Sequence, residues 1–234
     1  MEPAFAKKLV ALNAIVPLLM LAWDLNHHRA GVNQINYAIR TTGLVGLVLL
    51  IASLAITPLR KLTGWNAFVK FRRMAGLYAF FYGSLHLTTY AIVDRFAGLD
   101  QAGAWVEALG AGHVPGGSLV VSTLRSLAMS IGADIYKRPF ITIGFAAWLT
   151  MLPLAITSTA GWIRRLGGKR WNRLHRLVYL TGILGPLHYW WLVKADVNRP
   201  LTYAAVVALL LGLRIYWNRA RRTPVPARAR ATSA

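Results

Sequence analysis

The sequence predicts an all-α integral membrane protein, a bundle of six transmembrane helices with both termini in the cytoplasm. Three observations carry this expectation. The chain of 234 residues is 56% hydrophobic and only 15% charged, whereas a soluble domain is about 45–50% apolar and about 25% charged. Six apolar runs, at approximately 9–25, 41–57, 74–93, 139–157, 174–193 and 201–217, match the roughly 17–25 residues with which a helix crosses the hydrocarbon. Lys and Arg, finally, are unequally divided between the connections.

The N-terminus, the 58–73 and 158–176 loops and the 218–234 tail hold 18 Lys/Arg and a single acid, Glu2. The other connections, counted with Asp24 at the end of the first span, hold 8 Lys/Arg and six acids. Basic residues are retained on the cytoplasmic side, so the first set faces inward. Each such residue gains about 1 kcal/mol from an anionic leaflet. Membrane lipid therefore accounts for most of the net charge of +20. Nucleic acid is not the implied partner, because its binders carry their basic residues on a solvated domain.

The elements follow in order. Span one begins after Lys7 and Lys8 and lacks a convincing small-residue cleavage site, so it reads as a retained helix and not a signal peptide. The 94–138 connection reads as a long outer loop. Its segment Gly117 to Gly132 (GSLVVSTLRSLAMSIG), interrupted by Arg125, reads as an amphipathic interfacial helix. A seventh span there is the competing reading, and it would spoil the charge asymmetry. Trp23, Trp65, Trp162, Trp171, Trp190, Trp191 and Trp217 fall near span ends, as an aromatic belt does. Residues 1–217 form one transmembrane domain, and the basic, Pro-containing 218–234 segment is expected to be a disordered cytoplasmic tail.

The chain has no cysteine. Disulfides, thiolate-held iron–sulfur clusters and c-type haem attachment are thereby excluded, so a redox centre needs other ligands. Of six histidines, His86, His175 and His188 lie in or at spans, where an ionisable group is a functional hypothesis by default. At 1.5 Å per residue, His86 lies about 10 Å from the outer end of span three and His188 about 6 Å from that of span five. Two imidazoles at similar depth on different helices is the arrangement of a bis-histidine haem held in a bundle.

His175 lies roughly 20 Å deeper toward the cytoplasm, and a second haem there needs a partner on span three. Only Arg72 and Arg73 stand at that depth. Arginine is a poor metal ligand, so their expected roles are contacts to haem propionates or a flavin phosphate, or retention of topology. His175 and His188 fall about 140° apart on an ideal helix, but Gly182, Gly185 and Pro186 intervene and a proline kink breaks the phase. His113 reads as a solvated loop residue. His27 and His28, beside Asp24 and Asn26, read as an interfacial polar cluster, with a quinone pocket or proton guide as the functional alternative.

The runs RRMAGLYAFFYGSLHLTTYAIVD (72–94), KRPFITIGFAAWLTMLPLAITST (137–159) and GKRWNRLHRLVYLTGILGPLHYWWLVK (168–194), with ITPLR (56–60), resemble the ferric-reductase-like transmembrane family, which includes the NADPH oxidase membrane cores. Within it they are similar to the haem-binding membrane subunits of periplasmic methionine sulfoxide reductases. The resemblance covers most of residues 40–217.

It implies a bacterial inner-membrane subunit carrying b-type haem, one or two per chain. Such a subunit takes electrons from the quinol pool or a flavin reductase and passes them to a periplasmic molybdopterin subunit that repairs oxidised envelope proteins, the two forming a heterodimer. It implies His86 and His188 as haem ligands, His175 as the third family histidine, and FMN as a further cofactor. The 94–138 loop is longer than the family pattern.

No Gly-x-Gly-x-x-Gly follows a strand; the nearest imitation, GAGHVPGG at 110–117, breaks the spacing. A nicotinamide domain is not expected. All seven acids lie at span ends or outside spans, which disfavours a proton-coupled carrier. Two alternatives stand beside the electron-transfer reading: a haem-dependent transmembrane metal (ferric) reductase, and a transporter or scaffold without redox activity.

Overall fold

The computed structural model describes residues 3–193 and 195–220. Among them there is no strand, and helices follow one another through short turns. Helix α1 runs Pro3–Asn26 and α2 runs Gln34–Thr63. Helix α2 is opened by Asn33, whose side chain accepts the Asn36 N–H at 2.8 Å, a standard N-cap bond. It is closed by Gly64 at φ 76°, whose N–H returns to the Arg60 carbonyl in a left-handed cap that glycine adopts without strain. A 3-10 turn, Asn66–Phe68, reverses the chain into α3, Val69–Thr88.

Helix α3 does not end at Thr88. It continues as a π-helical turn, Thr89–Asp94, into a last short helix α4, Arg95–Ala97. Such turns are rare and concentrate at functional sites, and this one begins three residues after His86. Then come α5 (Gln101–Gly110), α6 (Gly117–Lys137), α7 (Pro139–Ile156), α8 (Ala160–Leu174), α9 (Leu177–Leu192) and α10 (Asn198–Ala220).

Helix α2 lies along α3 and α7 lies along α9, while α10 closes the bundle against α9 and α2. Between helices in lipid there is little hydrophobic drive, so small residues that allow close approach decide the packing. A Cβ on Gly46 of α2 would lie 3.3 Å from the Gly83 nitrogen and 3.5 Å from the Ala79 carbonyl of α3. Gly182 of α9 receives the Leu54 side chain, which a Cβ there would meet at 2.8 Å. Helix α1 stays at the periphery, where the Tyr82 hydroxyl donates to the Ala14 carbonyl at 2.6 Å.

Five helices among the described residues are long and apolar enough to cross a membrane: Lys8–Asn26 of α1, and α2, α6, α7 and α10. Large apolar side chains such as Leu12, Leu19 and Leu209 are exposed on them. A soluble monomer rarely shows so much contiguous apolar surface, and the chain is a multi-pass membrane protein.

The set of helices differs from the sequence expectation in four places. Helix α6 exceeds the expected interfacial segment and meets the length and apolarity of a span. The expected spans 74–93 and 174–193 fall on α3 with its π turn and on α9, which has 16 residues. Helices α5 and α8 occupy stretches expected as loops, because α5 has only 10 residues and α8 carries five Arg/Lys, so neither registers as a span. The tail expected from 218 begins as helix, since α10 reaches Ala220, and its remainder lies outside the described residues.

Candidate functional site

His86 on α3 and His188 on α9 are brought together across the bundle. Their ring centroids are 6.1 Å apart and their planes meet at 79°. Each ring is tied to the backbone of a neighbouring helix: His86 Nδ1 lies 2.9 Å from the Ile39 carbonyl of α2, and His188 Nδ1 lies 2.6 Å from the Phe140 carbonyl of α7. A carbonyl only accepts, so each Nδ1 carries the proton. In a neutral imidazole that leaves Nε2 with its lone pair free for a metal.

The spacing has a chemical meaning. A first-row metal sits about 2 Å from a coordinating imidazole nitrogen, so two rings on opposite sides of one ion hold their centroids about 6 Å apart. Among the described residues, no three His, Asp or Glu side chains gather as a metal cluster. An ion between these two rings would take its remaining ligands from a non-protein group such as a macrocycle. The two imidazoles fit such a group, whose metal they would hold through their Nε2 atoms.

His175 is not part of this pair. It caps the C-terminus of α8 and precedes α9, so the helical phase count between His175 and His188 does not apply: the helix breaks at His175. Its Nε2 lies 3.0 Å from the Thr157 hydroxyl. That hydroxyl gives its proton to the Pro153 carbonyl at 2.6 Å, so it accepts from Nε2–H. The ring stacks on Trp171 at 3.8 Å, and the Trp171 indole N–H donates to the Thr157 carbonyl at 2.9 Å.

The two arginines thirteen and fourteen residues before His86 separate. Arg72 is half-buried and Arg73 is exposed. Arg72 comes within electrostatic reach of His175 and of Arg214. Arg214, on α10, is 8% exposed; it donates to the Tyr179 hydroxyl at 2.6 Å and to the Leu54 carbonyl at 2.8 Å, while its buried Nε has no partner. Sequence reasoning passed over Arg214. One cation in an otherwise apolar 201–217 run was the available signal, since such a residue points into the bundle by default.

The remaining histidines stay in their own turns. His27 stacks on Trp23 at 3.8 Å and bonds its carbonyl. His28, at φ 52°, lies 3.1 Å from the Gln34 side chain through Nδ1. Asp24 of this cluster accepts from the Tyr37 hydroxyl at 2.8 Å. His113 is exposed just beyond α5.

A polar knot joins the α5–α6 hairpin to the helices that carry the pair. Asp134 of α6 accepts from the Tyr90 hydroxyl of the π turn at 2.5 Å and from Arg95 at 2.9 Å, and pairs with Arg138 at 3.1 Å. Arg95 also meets Asp94 at 2.7 Å, and that hydrogen bond holds its guanidinium above the ordinary arginine range. Two residues beyond Arg138 stands Phe140, whose carbonyl holds His188.

Comparison with known proteins agrees with this architecture. The family described as ferric reductase like transmembrane component matches residues 42–185. A protein-methionine-sulfoxide reductase heme-binding subunit MsrQ of Ralstonia nicotianae is 48% identical over 210 residues, 89% of this chain and 83% of its own. Proteins of the same description from Xanthomonas euvesicatoria pv. vesicatoria (43% over 226 residues, 93% and 89% covered) and Xanthomonas axonopodis pv. citri (42% over 239 residues, 96% and 95% covered) extend the likeness over nearly the whole chain. No solved structure matches. With a family match over residues 42–185, which include His86 and end three residues before His188, and with relatives alike over nearly the whole chain, the chain belongs to the ferric-reductase-like transmembrane family, in its MsrQ branch.

Proposed function

We propose that this protein is the haem-binding electron-transfer subunit of a periplasmic methionine sulfoxide reductase, with His86 and His188 as the axial ligands of a b-type haem. The observation that carries the reading is the pair of imidazoles 6.1 Å apart, each held by a backbone carbonyl through Nδ1. Bound haem supplies one-electron redox chemistry in a low-dielectric setting. The chain's residues orient the two ring nitrogens, exclude water and keep the site within the bilayer.

In this reading six spans cross the bacterial inner membrane, 74–93 and 174–193 among them, with both termini cytoplasmic and α5–α6 at the outer face. The domain comprises 1–217. The protein takes electrons from quinol or a flavin reductase and delivers them to a molybdopterin-containing partner in a heterodimer. His175 is a third candidate ligand for a second haem, and its Nε2 must first leave Thr157. Arg72, with Arg73 beside it, is the candidate contact for a propionate or for the phosphate of FMN, and its nearness to Arg214 supports an anion at that end.

The test is electron delivery in reconstituted vesicles containing the partner subunit and a methionine sulfoxide substrate. Reduction that depends on a quinol or flavin donor, and fails with His86→Ala and with His188→Ala, supports the reading. Reduction that proceeds without this protein rejects it. A metal reductase of the same family would instead reduce ferric chelates with no partner present.

A further inference from the structure

The two histidines are served by the same device built twice. On α2 the segment Ile39-Arg40-Thr41-Thr42-Gly43 offers the Ile39 carbonyl to His86; on α7 the segment Phe140-Ile141-Thr142-Ile143-Gly144 offers the Phe140 carbonyl to His188. In both, a glycine stands four residues after the carbonyl used. That position has a specific geometric meaning. In an α-helix the carbonyl of residue i points toward residue i+4 and accepts its N–H, while a side chain at i+4 leans back toward the helix N-terminus over that same carbonyl. The second lone pair of the oxygen is open to an imidazole only if nothing hangs there.

The distances agree at both places. A Cβ on Gly43 would lie 2.9 Å from His86 Nδ1 and 3.1 Å from its Cε1. A Cβ on Gly144 would lie 2.7 Å from both His188 Nδ1 and Cε1. At both glycines the three atoms nearest to such a Cβ belong to the histidine ring, so the ring is what would move first.

We propose that Gly43 and Gly144 are positioning residues for the two haem ligands: by lacking a side chain they let each imidazole seat its Nδ1–H on the carbonyl one turn away, which fixes the tautomer and the ring plane. The inference rests on the haem assignment of the preceding section for its readout, though the clamp itself is a property of the chain. Partners of this kind orient a ligand and raise its basicity, and their loss typically weakens metal affinity about 10–100-fold. The closer contact makes Gly144→Ala the more damaging substitution and Gly43→Ala the milder one.

The experiment compares the detergent-purified parent with Gly43→Ala, Gly144→Ala and, as a control for added helix propensity, Gly212→Ala, whose Cβ meets nothing within 4 Å. Haem affinity, the low-spin ferric electron paramagnetic resonance signal and the midpoint potential are read, with size exclusion and circular dichroism to verify folding. Folded Gly144→Ala is expected to lose haem affinity about 10-fold or more, with a shifted low-spin signal and a raised potential. Gly43→Ala should follow in the same direction by less, and Gly212→Ala should match the parent.

Parental spectra and potential in both folded variants overturn the inference while leaving the haem reading intact. A parent without haem overturns that reading instead. In that case, or if neither variant accumulates, nitrogen-15 resonances of histidine in the parent decide: neutral rings protonated at Nδ1 support the clamp, and Nε2–H on either ring overturns it.

Discussion

The imidazoles of His86 and His188 stand 6.1 Å apart with their planes at 79°, although 101 residues separate them in the chain. Two helical hairpins, α2 with α3 and α7 with α9, create that relationship, each contributing the histidine from one helix and the carbonyl that orients it from the other. The site is thus a product of hairpin packing, and its properties respond to the groups behind the rings as well as to the rings themselves.

Exchanging one ligand while keeping a donor atom should move the redox potential and retain the cofactor. Methionine opposite histidine raises haem potentials, and axial ligands tune them over about 0.8 V. His188→Met is expected to keep haem and shift the midpoint upward by about 100 mV, within that range. Potentiometric titration checks this, and an unchanged midpoint would remove His188 from the coordination sphere.

The buried Arg214 should make its hydroxyl partner expensive to remove. Hydrogen bonds to charged groups contribute about 1.5–3 kcal/mol, and Tyr179 provides one at 2.6 Å. Tyr179→Phe should destabilise the protein by about 2 kcal/mol, read as a fall in melting temperature in detergent. A neutral result would mean that water or an anion takes the hydroxyl's place.

The α5–α6 hairpin depends on Asp134, which gathers Tyr90, Arg95 and Arg138. Asp134→Asn keeps the shape and removes the charge, so it should weaken the knot by about 2–4 kcal/mol, toward the range for breaking a buried ion pair. Faster hydrogen exchange in α6 than in α2 is the expected signature. Uniformly faster exchange would show that the knot holds the whole bundle.

Topology can be tested cleanly because the chain lacks cysteine. A single thiol placed by His113→Cys in the α5–α6 connection should react with an impermeant maleimide on intact spheroplasts. Lys169→Cys in α8 should react only after permeabilisation. The reverse pattern would invert the orientation drawn from the Lys/Arg asymmetry.

Much of this arrangement was legible in the residues. The long apolar runs located α1, α2, α7 and α10, and counting residues from span ends placed His86 and His188 at one depth, because helical rise is constant. Other features were not legible, for identifiable reasons. Helix α6 has the length of a span yet anchors its C-terminal end through Asp134 to Tyr90 and Arg95, just beyond α3, and a hydropathy window does not register such a contact. His175 was counted onto a continuous helix, whereas α8 ends there, with the ring held against Thr157 and Trp171. Gly43 and Gly144 look like ordinary membrane-helix glycines until the rings that lean on them are known. The short repeat Ile-x-Thr-x-Gly and Phe-x-Thr-x-Gly takes on meaning only once the two carbonyls are seen to hold the rings.

The most direct measurement is the reduced-minus-oxidised absorbance spectrum of the purified protein, with haem quantified per chain, beside His86→Ala, His188→Ala and His175→Ala. The account predicts a low-spin b-type spectrum in the parent that is abolished by the first two substitutions and survives at least in part in the third. A colourless parent, or a low-spin spectrum that persists in His86→Ala and His188→Ala, would contradict it.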